Sequence, residues 1–115
     1  MKRGEVWLAN LSPRGGTEPG KTCPVLIVQS QPLIDAGHPS TLVVPMTTNL
    51  EDDAEPLRVR VPAGHGLHRE SDLLMDQLCA IDNRRLLDGP LTRLGSDHMR
   101  RIDEAIREVL DLTEN

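Results

Sequence analysis

The 115 residues suit one folded domain and are too few for two independent cores. Hydrophobic residues make up 37% and Trp7 is the only aromatic, so the core must be aliphatic and base-stacking platforms are scarce. A formal charge of -5 excludes a protein that coats nucleic acid by bulk attraction, which needs surplus Lys and Arg, while leaving room for a local basic groove.

In chain order, Glu5 to Leu11 reads as a first strand buried on both sides. Val6, Leu8 and Asn10 fall on one face and Trp7, Ala9 and Leu11 on the other. Ser12 to Thr22 holds Pro13, Gly15, Gly16, Pro19 and Gly20, a density of breakers that predicts a long functional loop. Val25 to Gln29 is the second strand, entered through Pro24, where a missing N–H does least harm. A short helical excursion is expected around Leu33 to Ala36, then a third strand over Thr41 to Met46 with Pro45 breaking it near its end.

Leu57 to Val61 alternates Leu57, Val59 and Val61 against Arg58 and Arg60, a half-exposed antiparallel strand whose arginines face solvent or a ligand. Ser71 to Leu78 and Gly89 to Leu94 are two further extended segments, with a helical turn over Asp82 to Arg85 between them. Met99, Ile102, Ala105, Ile106, Val109 and Leu110 recur at helical spacing and predict an amphipathic helix over Ser96 to Leu112, with Ser96 as N-cap and Asp97 near the positive end of the dipole. Short strands with long loops and one closing helix make a small, strongly bent, mostly antiparallel β-barrel with helices at its edge. No run approaches the roughly 18 apolar residues of a membrane span. Two distant cysteines, Cys23 and Cys79, with no apolar signal segment ahead of them, point to reduced thiols in the cytoplasm.

Several ordered segments together resemble one family. They are Lys2-Arg3-Gly4-Glu5-Val6-Trp7, the loop from Leu11 to Lys21, Pro24-Val25-Leu26-Ile27-Val28, Val44-Pro45-Met46-Thr47-Thr48-Asn49, and Asp76-Gln77-Leu78 followed by Ala80-Ile81-Asp82. The chain is similar to MazF/PemK toxins from its first residue to its final helix. The resemblance implies an SH3-like barrel with a C-terminal helix that forms a homodimer. It also implies cleavage of single-stranded RNA at short motifs without metal or cofactor, and neutralisation by an acidic MazE-like antitoxin. In the family an arginine just before the proline of the second strand acts with a threonine at the end of the third. Those positions are Cys23 and Thr47 here.

Such cleavage uses the neighbouring 2′-hydroxyl as nucleophile, so the enzyme must take that proton, protonate the leaving 5′-oxygen and neutralise charge growing on the phosphate. Guanidinium suits the phosphate because it is planar, permanently charged and bidentate. A thiol with a pKa of about 8.5 is mostly a neutral weak donor at pH 7. Cys23 therefore predicts RNA binding with poor cleavage, a loss of about 10²–10³ for one missing transition-state donor. Lys21 or Arg14 could lend charge from the loop, as loose substitutes for a positioned fork. Cys79 also stands where related sequences often have an arginine, and a disulfide to Cys23 is conceivable if both thiols face one groove.

Each candidate has a plainer reading. Glu18 by itself is a solvated loop carboxylate, and the resemblance makes it an acid/base or arginine-orienting group. Thr47 and Thr48 would otherwise satisfy strand-end backbone groups; with the resemblance, Thr47 becomes a phosphate donor and Thr48 an RNA neighbour. Asn49 and Gln77 either tie loops together or read base edges. Trp7 belongs to the core rather than to a stacking platform, and Arg84 and Arg85 to a solvated face, with contact to an anionic partner as the lesser reading. His65, His68, His38 and the two cysteines raise the question of zinc, but no CxxC pair supports it. The rival class is a non-catalytic RNA- or antitoxin-binding relative, or a gyrase poison like the CcdB proteins on the same barrel. The latter depend on an apolar tail with tryptophan, whereas this chain ends Leu112-Thr113-Glu114-Asn115.

Overall fold

The computed structural model describes residues 1–11, 22–64 and 66–112. Seven strands carry the chain: β1 Glu5–Asn10, β2 Thr22–Ile27, β3 Ser40–Thr47, β4 Arg58–Val61, β5 Ser71–Leu74, β6 Cys79–Asp82 and β7 Leu86–Arg93. A short helix α1, Gln31–Asp35, joins β2 to β3, 3₁₀ turns cover Met75–Gln77 and Asn83–Arg85, and α2, Ser96–Val109, closes the chain. The order in the sheet is β4-β5-β3-β2-β1-β7, with β6 added against β3, and each of these pairings is antiparallel. It is the expected bent, barrel-like antiparallel sheet with a terminal helix, although the hydrogen-bonded path is open rather than closed.

Alternation along β2 and β3 builds two apolar layers, because successive side chains leave a strand on opposite faces. Leu26, Val28, Val44 and Met46 enter the layer that Ile102 and Ala105 of α2 cover. Val25, Ile27 and Val43 enter the second, against Ala9, Ile81, Trp7 and Leu86. Val6 and Ala9 of β1 are buried in opposite layers, as the two-faced reading of that strand requires. The opening motif is a brace. Arg3 donates through Nε to the Val28 carbonyl at 3.1 Å and through a terminal nitrogen to Asp103 of α2 at 2.7 Å. Gly4 supplies a φ of 92° that lets the chain turn into β1.

Several boundaries differ from the sequence reading, each for a local reason. Pro24 lies inside β2, not at its start, because pairing with β3 runs only from Val25 to Ile27 and Pro24 has β1 alone as neighbour. Pro45 does not break β3. The far edge of β3 is paired with β6 as far as Val43 and with β5 from Met46, so Pro45 falls at the changeover, where no ladder bond is required of it on that side. Leu57 is left outside β4 and exposed. The extended segment from Ser71 ends at Leu74, and two elements were not foreseen: β6, and the first half of β7. The final helix stops at Val109, and Gly95 rather than Ser96 is its N-cap. Asp97 does sit in its first turn. Thr22, expected in the loop, begins β2, while residues 12–21 lie outside the described residues.

Candidate active site

Two strands bring the candidate residues together. The β2–β3 register pairs Val25 with Pro45 and Ile27 with Val43; continued by two residues, it sets Cys23 across from Thr47. Residues opposite each other in an antiparallel pair point to the same face. Both line a cleft of about 570 Å³ with Thr22, Pro24, Thr48 and Gln77. Cys23 is half-buried and in no disulfide. Thr47 Oγ1 accepts a hydrogen bond from the Asn49 amide at 3.1 Å, which leaves the hydroxyl hydrogen to donate to an oxygen in the cleft. Gln77 is exposed at the end of the 3₁₀ turn between β5 and β6.

Not all candidates converge. Asn49 does not line this cleft; its carbonyl accepts from Arg58 at 2.7 Å, tying the turn after β3 to β4. Glu18, Lys21 and Arg14 lie outside the described residues. Among the described residues that line the Cys23–Thr47 cleft there is no Lys or Arg. Two arginines, Arg84 and Arg85, line an adjoining cleft of about 720 Å³ that shares Leu11, Pro45 and Gln77 with the first. Their only sequence signal was adjacency in a polar stretch.

Cys79 lines the second cleft, and burial pushes its thiol up from the ordinary range. Neither it nor Cys23 is in a disulfide. Val43 pairs with Ile27 on one side and Cys79 on the other, so the two cysteines flank opposite edges of β3. Two strand spacings and four residues along the strand separate them by roughly 16 Å, far beyond the roughly 7 Å Cα limit of a disulfide. The conditional disulfide is thereby removed. Among the described residues no three of His, Cys, Asp and Glu gather as metal ligands, and His65 lies outside them.

A second charged cluster borders the site. Asp72, opposite Thr47 on β5, is 1% exposed. It accepts from Arg60 Nε at 2.6 Å, the Glu51 amide at 2.9 Å and Arg58 at 3.4 Å. Burial alone would push its carboxyl up, but these donors outweigh it and hold it below the usual carboxylate range. Arg60 also reaches Asp52 at 2.9 Å and Glu70 at 3.2 Å. The arginines of β4 are therefore ion-paired as well as partly exposed, and they knit the acidic turn to β5 beside the end of β3 that carries Thr47.

Comparison with known proteins decides the family. The sequence profile of the PemK-like, MazF-like toxins of type II toxin-antitoxin systems matches residues 2–110. The chain belongs to this toxin family. One relative, "Endoribonuclease EndoA" of Bacillus subtilis (strain 168), is 35% identical over 116 residues, which covers 97% of this chain and 96% of the relative. In fold, the chain is similar to "Mycobacterium tuberculosis toxin MazF-mt6", with a TM-score of 0.78 at 24% identity over 96% of this chain and 99% of that one. It is equally similar to "Endoribonuclease in complex with its cognate antitoxin from Mycobacterial species", with a TM-score of 0.78 at 21% identity over 100% and 99% of the two chains.

Proposed function

We propose that this toxin is a metal-independent endoribonuclease that cuts single-stranded RNA at short motifs, with Thr47 as the phosphate-contacting donor and the Cys23 position as its partner. The observation that carries the reading is the meeting of Cys23 and Thr47 in one cleft of a chain 35% identical to an endoribonuclease. Glu18 serves as acid/base or orienting group from the loop. Lys21, Arg14, Thr48, Asn49 and Gln77 attend the RNA. Cys23 supplies no charge where the family uses a guanidinium, so this form binds RNA and cleaves it slowly.

A cytoplasmic protein is the consistent setting, since its substrate and its two reduced cysteines are both at home there. Among the described residues no helix is long and apolar enough to cross a membrane. The working unit is a homodimer held by an acidic antitoxin when inactive; one structural neighbour is an endoribonuclease in complex with its cognate antitoxin. Exposed Leu42 and Leu110 border a groove with Leu78 and Ile106 between β3 and α2, an apolar face suited to a second copy.

The test is cleavage of a mixed-sequence RNA by this chain and by Cys23→Arg. The variant is expected to cut about 10²–10³ faster. Equal rates would remove Cys23 as the cause of impairment, and retention of labelled RNA without cleavage by both would favour the non-catalytic binding protein. The gyrase-poison reading receives no support from any observation above.

A further inference from the structure

The cleft that holds Cys23 and Thr47 offers a donor and a thiol but, among its described lining residues, no positive charge. RNA brings one negative charge per nucleotide, and phosphate contacts supply most of the affinity and fix the register of a bound strand. The adjoining cleft has what the first lacks. It is the larger, it is continuous with the first through Leu11, Pro45 and Gln77, and Arg84 and Arg85 line it.

These two arginines are held in different ways. Arg85 donates to the Asn10 carbonyl at 3.2 Å, at the very end of β1, where Asn10 pairs with Thr22 and Ala9 with Cys23. The guanidinium is thereby tethered within about two strand spacings, roughly 10 Å, of the reaction centre. Arg84 closes a fork on Asp82, Nε at 3.1 Å and a terminal nitrogen at 3.0 Å, with 92% of its side chain exposed. An exposed pair of this kind contributes little to stability. Phosphate presents the same two-oxygen geometry as a carboxylate, so it can take over the fork at small cost.

We infer that Arg85 and Arg84 form a phosphate-binding subsite for the stretch of single-stranded RNA flanking the scissile position. The inference rests on the reading of this chain as an RNA-cleaving toxin and extends it to where the strand runs. The strand passes from the Thr47 cleft over Pro45 and Gln77, and its next phosphates lie against Arg85 and then Arg84. Asp82 is the placeholder for the outer phosphate. Its carboxyl, held down to about 2 by the hydrogen bonds from Arg84, stays ionised at every physiological pH and must be displaced rather than neutralised.

The test is binding of a labelled mixed-sequence single-stranded RNA, followed by fluorescence anisotropy between 50 and 200 mM salt, the range over which counterion release is read. Each lost phosphate contact on a single strand should flatten the plot of log affinity against log salt by about 0.7. Arg84→Ala and Arg85→Ala are each expected to flatten it by about that amount and the double variant by about twice as much. Asp82→Asn, which retains the capping oxygen of the 3₁₀ turn but not its charge, should bind several-fold more tightly at low salt. Arg100→Ala, exposed on α2 outside both clefts, should leave the slope unchanged.

Arg84 is nearly free of the fold, so Arg84→Ala decides the matter even if Arg85→Ala unfolds. RNA binding with an unaltered slope in Arg84→Ala overturns the subsite and leaves the RNA reading standing. An equal loss in Arg100→Ala also overturns it, by making the attraction diffuse. No RNA binding by the parent chain overturns both.

Discussion

Replacing Asp72 by Ala removes the one fully buried carboxylate among the described residues. Its strongest bond, from Arg60 Nε at 2.6 Å, is charge-assisted and contributes about 1.5–3 kcal/mol; the Glu51 amide at 2.9 Å adds about 1 kcal/mol. The Arg58 contact at 3.4 Å is long and adds little. Against this sum, the arginines are not stranded. Arg60 keeps Asp52 and Glu70, Arg58 keeps Glu51, and their side chains are 31% and 19% exposed. The net cost is therefore about 2–3 kcal/mol, below the 3–5 kcal/mol of breaking a wholly buried pair.

Urea unfolding at pH 7 should show this as a midpoint lowered by about 1–2 M. The pH dependence supplies the sign. Because the folded carboxyl titrates below its unfolded value of about 3.9, its contribution is complete above that pH and is lost as pH falls through the folded value. Parent and Asp72→Ala should thus differ most near neutrality and converge in acid. A difference under about 0.5 kcal/mol at pH 7, or one that grows on acidification, would refute the assignment of a stabilising role to this cluster.

Two further substitutions separate packing from chemistry. A Cβ on Gly89 would lie 2.4 Å from Cδ2 and 2.7 Å from Cγ of Trp7, so Gly89→Ala should destabilise by about 1–3 kcal/mol. Because Trp7 is the only tryptophan, its emission reports the ring's displacement directly, and an unchanged spectrum with unchanged stability would contradict the close approach. Thr47→Val keeps the shape but removes the hydroxyl. Its stability change should be under about 0.5 kcal/mol, since water can replace the exposed acceptor of the Asn49 amide. In the Cys23→Arg background its cleavage rate should fall by about 10²–10³, and a change of less than threefold would dismiss Thr47 as a transition-state donor.

Much of the fold was legible because the short apolar runs of β2 and β3, the alternation of β4 and the helical spacing of α2 are local signals of burial. What was not legible depended on partners distant in sequence. β6 escaped notice because only Ile81 of its four residues is buried, so Cys79 to Asp82 carries no alternation to read. Pro24 and Pro45 looked like strand ends because a proline forbids one ladder bond; only the sheet order reveals that neither is asked for one. In the site, Cys23 and Thr47 could be named from the family pattern, but not the role of the basic pairs. Arg58 and Arg60 read as outward-facing until register placed Asp72 between them. Arg84 and Arg85 read chiefly as one solvated face, with an anionic partner as the lesser reading, until the structure divided them between a local carboxylate and a carbonyl at the far end of β1.

The change of partner along β3 has a wider consequence. Since β6 ends and β5 begins on either side of Pro45, the sheet carries a seam there, and Pro45 and Gln77 line both clefts that open along it. The seam is spanned by Met75–Gln77, three residues that belong to no strand. Exchanging that bridge, or the residue presented at its end, alters what the groove reads without moving any strand out of register. A toxin built this way can diverge in target while its barrel stays still.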